Sequence, residues 1–323
     1  MAADMKSFAA TVFAIAIFGL ASTPVAAKYP ERAIKIVVPY AAGGTTDVVA
    51  RLAGQALSQS LGQPVIIENR TGANGTIAER AVATADADGY TLLIDTPGAA
   101  MNRSLFNKLP FDLEKDLRPV AQLIAFPFMI VASENFKAQT LSELIKHAKE
   151  RPSEINTAVS GSSTQLVTEL FRLQADIKLT NVTYRGGAPA TLAVMANEVQ
   201  LMISDLPNVA QYVAAGKMRG LAVSSAKRNE LFPNVPTALE SGMKDYVVDS
   251  WFGLFVPANT PEEIVRTLNI EFNRIMTRPE IKEKLAPMGA VPVSKTPEEF
   301  KAFYRSELAR WEDVVTRAGI PRQ

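Results

Sequence analysis

The sequence predicts an α/β protein of two domains joined by a hinge, and three observations carry this prediction. At 323 residues, the chain is long enough for two domains of about 150 residues each. Segments typical of strands and helices alternate from Ile34 onward, which is the pattern of a parallel sheet covered by helices. The C-terminal portion is helical and has no strands of its own, so its helices most simply cover the sheet of the first domain. That domain is therefore expected to be discontinuous in sequence.

Residues 1–27 are predicted to be a secretory signal peptide. An apolar run from Phe8 to Leu20 follows Lys6, and small residues continue to Ala27, where we expect cleavage. A transmembrane anchor is the alternative, but the run is short for a bilayer and a proline follows it. The chain contains no cysteine that could carry a lipid or form a disulfide. We therefore expect an exported, soluble, periplasmic mature protein.

The first domain opens with three strand-and-helix units. The segment "AIKIVVPY" is typical of a strand, and a helix over 46–61 stops at Gly62 with Pro64 beyond it. The second strand is "PVIIENR", and "TGANGTIAERAVATA" is a loop followed by a helix. The third unit is a turn and a strand, "DADGYTLLID". The three strands are predicted to lie parallel in one sheet.

A second alternating set begins near "LIAFPFMIVAS". Its first helix, "LSELIKHAKE", follows Thr140 as N-cap and stops at Arg151-Pro152. Strands are predicted at "INTAVS", "NVTY", "QLMISD" and "RGLAVSS". The loops "GSSTQ" and "RGGAPA" each lead into a helix, and a further helix is predicted at "NVAQYVAAGK".

The chain is predicted to cross between the domains twice. It leaves the first domain near 126–128 and returns near 251–254, where "SWFGLFVPAN" is typical of a strand. The expected boundaries are 28–127 plus 251–323 for domain 1, and 128–250 for domain 2. Two crossovers make a hinge, and a cleft between the domains follows from it.

Three strand-to-helix junctions are rich in glycine and hydroxyl residues: 39–47, 160–165 and 184–190. Each lies at the carboxyl end of a predicted strand, where ligands of open α/β sheets bind. Glycine lets successive amides converge on one anion, and the following helix adds free N–H groups. The hydroxyls of Thr45, Thr46, Ser162 and Ser163 can donate to a ligand or simply cap helices. Opposed loops from two domains favour a clamp for a small carboxylate over a set of tight turns.

Composition and motifs argue against several other functions. The formal net charge is +1 without a basic stripe, which gives no sign of a nucleic-acid partner. Neither a phosphate-binding G-x-x-x-x-G-K-[ST] nor a G-x-G-x-x-G motif is present. Cysteine is absent, and the single histidine, His147, is expected on the solvated side of a helix. Catalysis and a histidine-based metal site are therefore not expected, although a carboxylate-only enzyme using Asp47 and Asp205 stays open.

The sequence leaves the roles of four side chains open. Asp47 can interact with the N-terminus of its helix or accept a hydrogen bond from a ligand. Asp205, at the end of "QLMISD", can also accept a hydrogen bond from a ligand. Arg185 can pair with an anion or lie on the surface. Tyr40 can form a wall of the cleft or belong to the core, and we favour the cleft.

Several segments in order resemble the Bug family of periplasmic solute receptors, which are TctC-like proteins of tripartite tricarboxylate transporters. They are "YPERAIKIVVPYAAGGTTDVVAR", "LGQPVIIENRTGANGTIA", "DADGYTLLI", "VTYRGGAPA" and "WEDVVTRAGI". The resemblance covers essentially the whole mature chain. It implies a type II periplasmic-binding-protein fold that closes over a small carboxylate, which is then delivered to membrane transporter subunits. A sensor that docks on a two-component histidine kinase is the alternative.

The resemblance also implies which residues contact the ligand, partly through ordered waters. The ligand-binding candidates are Tyr40, Ala42, Gly43, Gly44, Thr45, Thr46, Asp47, Pro97, Gly98, Ala99, Ser160, Gly161, Ser162, Ser163, Gln165, Tyr184, Arg185, Gly186, Gly187 and Asp205. Ala42 stands where many members have proline, and Gln165 where many have histidine. The ligand, which in the family is a di- or tricarboxylate, an amino acid or an aromatic acid, is therefore not transferable from one relative. We expect a monomer that uses neither a cofactor nor a metal.

Overall fold

The computed structural model describes residues 29–322, and ten strands of this part form one continuous sheet. The strands are β1 (Ile34–Val38), β2 (Val65–Asn69), β3 (Thr91–Asp95), β4 (Leu117–Ser133), β5 (Asn156–Val159), β6 (Thr180–Thr183), β7 (Leu201–Asp205), β8 (Met218–Val223), β9 (Asp249–Pro257) and β10 (Val291–Pro292). Their order is β2-β1-β3-β9-β4-β7-β5-β6, and β8 and β10 also pair with β4. The predicted signal peptide at 1–27 lies outside the described residues.

Strand β4 belongs to both halves of the sheet, because its partners change partway along it. Its first part, Leu117–Pro127, pairs with β9, whereas Phe128 and the residues after it pair with β7 and β8. The sheet curls at this change, which gives the two-domain α/β fold predicted from the sequence. The division into 28–127 plus 251–323 and 128–250 stays a prediction, and the change of partner at Phe128 agrees with it.

The predicted parallel pairing holds for three strands of each half, but β9 runs antiparallel to β3, and the partners of β4 run antiparallel to it. Strands β1, β2 and β3 are parallel, as are β5, β6 and β7. The strands around β4 are antiparallel to it. The hydrophobic periodicity of a strand indicates its burial and not its direction, so the sequence did not distinguish parallel from antiparallel pairing.

Ten α-helices occur in the described residues. They are α1 (Thr45–Leu61), α2 (Thr76–Ala83), α3 (Pro97–Leu105), α4 (Leu141–Glu150), α5 (Ser162–Ala175), α6 (Gly187–Met195), α7 (Leu206–Ala214), α8 (Glu262–Met276), α9 (Pro279–Leu285) and α10 (Pro297–Ala318). The prediction that C-terminal helices cover the first sheet is confirmed for α8, which packs on α1 and β4. Helix α10 reaches further, since it contacts both α3 and α5.

A cluster of aromatic side chains fixes α10 to the sheet. The indole of Trp251 on β9 is fully buried and meets Phe300 and Tyr304 of α10 edge-on. The indole nitrogens of Trp251 and Trp311 both donate to one carboxylate oxygen of Glu307, each at 3.2 Å. Burial of these rings supplies a large hydrophobic contribution, and the shared carboxylate satisfies their polar atoms.

One helix was not predicted, and two others begin earlier than predicted. Residues 97–105 form a helix that the sequence analysis did not identify, with Thr96 as N-cap accepting from the amide of Gly98. Helix α5 begins at Ser162 and α6 at Gly187, so much of the predicted loops "GSSTQ" and "RGGAPA" forms first helical turns. The residues of these turns were mistaken for loops because Ser, Thr and Gly favour caps and loops equally.

Two features are absent from residues 29–322. None of the helices in that range combines the length and the apolar character needed to span a bilayer. The same range has no group of three or more acidic or histidine side chains placed to hold a metal ion. His147, which was predicted to be a solvated surface residue, is 25% exposed and stands edge-on to Phe136; it does not line the cleft described below.

Candidate functional site

A cleft of about 850 Å³ opens between the two halves of the molecule. The first half contributes the ends of β1, β3 and β9 and the loop that precedes α2. The second half contributes the first turns of α5 and α6, and one face of α7. Both halves therefore contact any molecule held in the cleft.

Helix N-termini face the cleft from both sides. The first intrahelical bond runs from Val48 N to Gly44 O in α1, from Gln165 N to Gly161 O in α5, and from Ala190 N to Gly186 O in α6. The amides that precede them, such as those of Thr45, Ser163 and Ala188, have no acceptor inside their own helices. Free amides and the partial positive charge of each helix end make this wall a binding surface for anions.

The backbone at Gly161 adopts a conformation that favours glycine. Its φ is +138°, and this residue is the N-cap of α5. The following residues, Ser162 and Ser163, both line the cleft. The glycine therefore turns the chain so that the start of α5 points at the cleft.

Tyr40 lies at the base of the cleft and not in a separate core. Its hydroxyl is 2.8 Å from the Thr96 hydroxyl, and a Cβ at Gly98 would stand 2.9 Å from the tyrosine oxygen. The absence of a side chain at Gly98 thus leaves room for the ring. Burial, followed by the nearby Asp95, raises the pKa of Tyr40, so the phenol stays neutral and can donate.

Asp47 lies behind the first loop and does not line the cleft. It is 2% exposed and accepts from Arg51 and from the amide of Gly43, in each case at 2.9 Å. The Asn69 side chain donates to the same carboxylate. These contacts, Arg51 first, lower the pKa of Asp47 to about 2. The arrangement holds the glycine loop in shape, which corresponds to the structural role left open by the sequence.

A second network joins the two halves behind the cleft. Asn102 on α3 is fully buried, and its side-chain nitrogen donates to the carbonyl of Asn74 at 2.8 Å. Its side-chain oxygen accepts from the hydroxyl of Ser162 at 3.2 Å. Asn102 thereby connects the loop before α2 with the first turn of α5, and both of these segments line the cleft.

The cleft contains part of the predicted set of residues. Those that line it are Tyr40, Gly44, Thr45, Thr46, Pro97, Gly98, Ser160, Gly161, Ser162, Ser163, Gly187 and Asp205. Those that do not are Ala42, Gly43, Asp47, Ala99, Gln165, Tyr184, Arg185 and Gly186. Arg185 is exposed, and Gln165 borders a separate hollow of about 450 Å³ beside Gly319. Direct contact between any of these residues and a ligand stays a prediction.

Sequence reasoning missed three groups of lining residues. The loop before α2 contributes Thr71, Gly72, Asn74 and Gly75, and α7 contributes Asn208, Gln211 and Tyr212. The remaining group is the aromatic pair Phe126 and Phe252, whose rings meet edge-on at 5.3 Å. The "TGANG" loop satisfies the criterion used for the other loops, since it is glycine-rich and follows a parallel strand.

Buried carboxyl groups lie around and beneath the cleft. Glu79 and Asp95 are nearly inaccessible; burial raises the pKa of both, and Asp95 raises that of Glu79 further. Neither lines the cleft. Burial also raises the pKa of Asp205 to about 6, against the opposing effect of the Ser250 hydroxyl, and that of Asp249 to about 6. No acid–base pair of catalytic type is therefore placed at the cleft wall by the described residues.

These carboxyls predict that the protein is more stable at pH 5 than at pH 8. An acid whose folded pKa is raised binds more protons in the folded state, so stability falls as pH rises through the window from about 4 to above 6. We expect the free energy of unfolding to drop by about 2 kcal/mol or more between pH 5 and pH 8. Urea titrations at the two pH values measure it.

Asp95→Asn is the control for this pH dependence, because it removes one of the buried acids while keeping the shape of the side chain. Its stability should vary less between pH 5 and pH 8 than that of the wild type. If the free energy of unfolding changed with pH equally in the two proteins, Asp95 would not be one of the acids that cause the pH dependence. Below pH 4 both should weaken, since Asp47 loses its ion pair there.

Comparison with known proteins gives consistent results. The family described as "Tripartite tricarboxylate transporter family receptor" matches residues 49–320. The protein BugT of Bordetella pertussis is 37% identical over 309 residues, which is 94% of this chain and 95% of that protein.

Two solved structures with bound ligands are also similar. The structure of R. palustris Rpa4515 with adipate has a TM-score of 0.83 and 36% identity, covering 91% of this chain and all of that one. MatC of Rhodopseudomonas palustris with bound malate has a TM-score of 0.78 and 34% identity, covering 89% of this chain and all of that one.

Proposed function

Since this chain belongs to the tripartite tricarboxylate transporter receptor family, a family of periplasmic solute-binding proteins, we propose that it captures a small carboxylate in the cleft. The proposal includes export by the signal peptide at 1–27 and delivery of the carboxylate to a membrane transporter of the tripartite tricarboxylate type. The resemblance noted from the sequence is thus confirmed at the level of the family.

The observation that carries this proposal is the convergence of helix N-termini from both halves of the molecule. Free amides at the start of α1 lie across one cleft from those at the starts of α5 and α6. A carboxylate between them accepts hydrogen bonds from both halves and thereby favours the closed arrangement. The adipate and malate bound by the two similar structures are anions of this kind.

Closure explains how binding is communicated to a partner. A ligand that contacts both halves stabilises the closed state by its differential affinity, and closure changes the outer surface on both sides of the hinge. A transporter that recognises the closed surface would then receive only loaded receptors. A histidine kinase could recognise the same surface. Loss of the receptor is expected to abolish uptake of the ligand only if the partner is a transporter.

Ligand binding is tested by thermal unfolding of protein that has been denatured, dialysed and refolded to remove co-purified solutes. A ligand at 100 times its dissociation constant adds about 2.7 kcal/mol to the free energy of unfolding. We expect at least one of adipate, malate, succinate, benzoate and 4-aminobutanoate to raise the melting temperature. A flat response to the whole panel would overturn the proposal.

Delivery is tested by uptake of the identified ligand in cells that lack the gene for this receptor. Loss of uptake, restored by the wild-type gene, supports the transport role. Unchanged uptake together with loss of a ligand-dependent transcriptional response would favour the sensor instead.

A further inference from the structure

The charge of the cleft is unusual for a site that holds an anion. Asp205 is the one side chain ionised at neutral pH among the described residues that line it, and no lysine, arginine or histidine is among them. A carboxylate at the helix N-termini is met by amides and hydroxyls, without a cationic side chain among the described lining residues. A second carboxylate of the same ligand, placed near Asp205, would meet a like charge in a partly buried setting, which is strongly unfavourable.

Asp205 lacks the donors that usually accompany a buried carboxylate. It precedes α7 but makes no capping bond to that helix, and its Oδ1 is covered and has no hydrogen-bond partner. The Ser250 hydroxyl donates to it and opposes the rise of its pKa. Tyr40 lines the same cleft, and the charge of Asp205 is the smallest of the contributions to the raised pKa of that phenol. The carboxylate therefore retains acceptor capacity at the cleft wall.

The middle of the cleft is apolar and aromatic. Phe126 and Phe252 form an edge-to-face pair that lines it, and the ring of Tyr212 lies on the opposite side, on α7. The rings of Phe126 and Phe252 carry no polar atoms. They suit the hydrocarbon body of a ligand, with polar groups confined to its ends.

From this arrangement we propose that the cleft selects a monocarboxylate whose far end carries an N–H or O–H donor, most strongly a protonated amine, with Asp205 as the acceptor. The inference rests on the proposed function, because the carboxylate end is held by the helix N-termini. It adds the chemistry of the second end, and it makes Asp205 the residue that discriminates amino-carboxylates from dicarboxylates of equal length.

The experiment compares three ligands of equal length by titration calorimetry on refolded, ligand-free protein. They are 6-aminohexanoate with a donor, hexanoate with no polar end, and adipate with a second carboxylate; 4-aminobutanoate and succinate form a shorter pair. The wild type should bind the amino-carboxylate of at least one length about tenfold or more tightly than the matched diacid, as expected for a charge-assisted hydrogen bond. Asp205→Asn should remove that preference, and the exposed Asp245→Asn should keep it.

A second measurement uses only the wild type and therefore does not require the Asp205→Asn variant to fold. The ratio of the affinities for 6-aminohexanoate and hexanoate should fall as the pH is lowered from 8 to 5. Both ligands carry the same carboxylate and the amine stays charged, so the change reports protonation of an acid near the amine. Burial raises the pKa of Asp205 to about 6, and this residue lines the cleft, whereas Asp95 and Asp249, whose pKa values are also raised into this range, do not. Tyr40, which lines the same cleft, stays neutral over this range because its pKa is raised.

Each outcome separates this inference from the proposal on which it rests. Tighter binding of the diacids, or a folded Asp205→Asn protein with an unchanged preference, overturns the role of Asp205 and leaves the receptor function standing. An affinity ratio that does not vary with pH also overturns it. Failure of every carboxylate to bind overturns the proposed function, and this inference with it.

Discussion

Ser163→Asp is expected to weaken carboxylate binding by at least about 100-fold while leaving the fold as stable as before. Ser163 is the second residue of α5 and lines the cleft. An aspartate there interacts favourably with the helix N-terminus, which contributes roughly 0.3–1 kcal/mol to stability. The same carboxylate lies where the ligand's carboxylate is expected. Two such charges about 4 Å apart repel by about 4 kcal/mol at an effective dielectric constant of 20.

The measurement pairs calorimetric titration of the identified ligand with thermal unfolding of the ligand-free protein. Ser142→Asp is the matched control, because Ser142 is the second residue of α4 and does not line the cleft. That variant should keep wild-type affinity. Ser163→Ala separates loss of the hydroxyl from gain of charge, and should weaken binding only modestly.

A folded Ser163→Asp protein with near wild-type affinity would mean that the anion does not sit at the start of α5. If Ser163→Asp lowered the melting temperature, the expected favourable interaction of an aspartate with the start of α5 would be contradicted. The two readouts are expected to move independently, so misfolding cannot be mistaken for charge repulsion.

Local signals in the sequence predicted much of the architecture. Gly62 ends α1 in a left-handed conformation, and Thr140 caps α4 by accepting from the amide of Glu143, both as predicted. Signals of this kind act within one helical turn and do not depend on the rest of the fold. The ion pair of Asp47 with Arg51, four residues further along the same helix, is equally local, although the sequence analysis did not identify it.

The parts that could not be predicted depend on contacts between distant segments. Asn102 contacts Asn74 and Ser162, which lie 28 and 60 residues away in sequence. The buried position of Glu79 beside Asp95 likewise follows from packing, since nothing in "TIAERAVA" distinguishes this glutamate from a solvated one. The orientation of the cleft side chains therefore required the three-dimensional arrangement.

Asn102→Asp is expected to destabilise the protein by about 3–5 kcal/mol at pH 8 and by much less at pH 5. Asn102 is fully buried, and its side-chain nitrogen lies 3.5 Å from a carboxylate oxygen of Glu79. An aspartate in its place would be a further buried acid beside Glu79 and Asp95, with no cation among their hydrogen-bond partners in the described structure. Removing the compensation of a buried charge typically costs 3–5 kcal/mol.

The pH dependence follows from the sign of the shift. Burial and like charges raise the folded pKa of the new carboxyl above its unfolded value of about 3.9, so the folded state retains the proton longer. The protonated form is close in shape and charge to asparagine. Stability relative to the wild type is therefore lost as pH rises from about 4 through the raised pKa.

Urea unfolding of wild type, Asn102→Asp and Asn102→Leu at pH 5 and pH 8 measures this effect. The leucine variant removes the same hydrogen bonds without adding a charge, so its deficit should be similar at both pH values. If Asn102→Asp were destabilised by the same amount at pH 5 and pH 8, the charge of the new carboxylate would not be the cause of the destabilisation. Because Asn102 joins the Asn74 loop to Ser162, the aspartate variant at pH 5 also tests its positioning role. A protonated aspartate keeps the shape and an O–H donor for the Asn74 carbonyl, so ligand affinity should stay near that of the wild type at pH 5 and fall at pH 8, where the ionised side chain cannot donate.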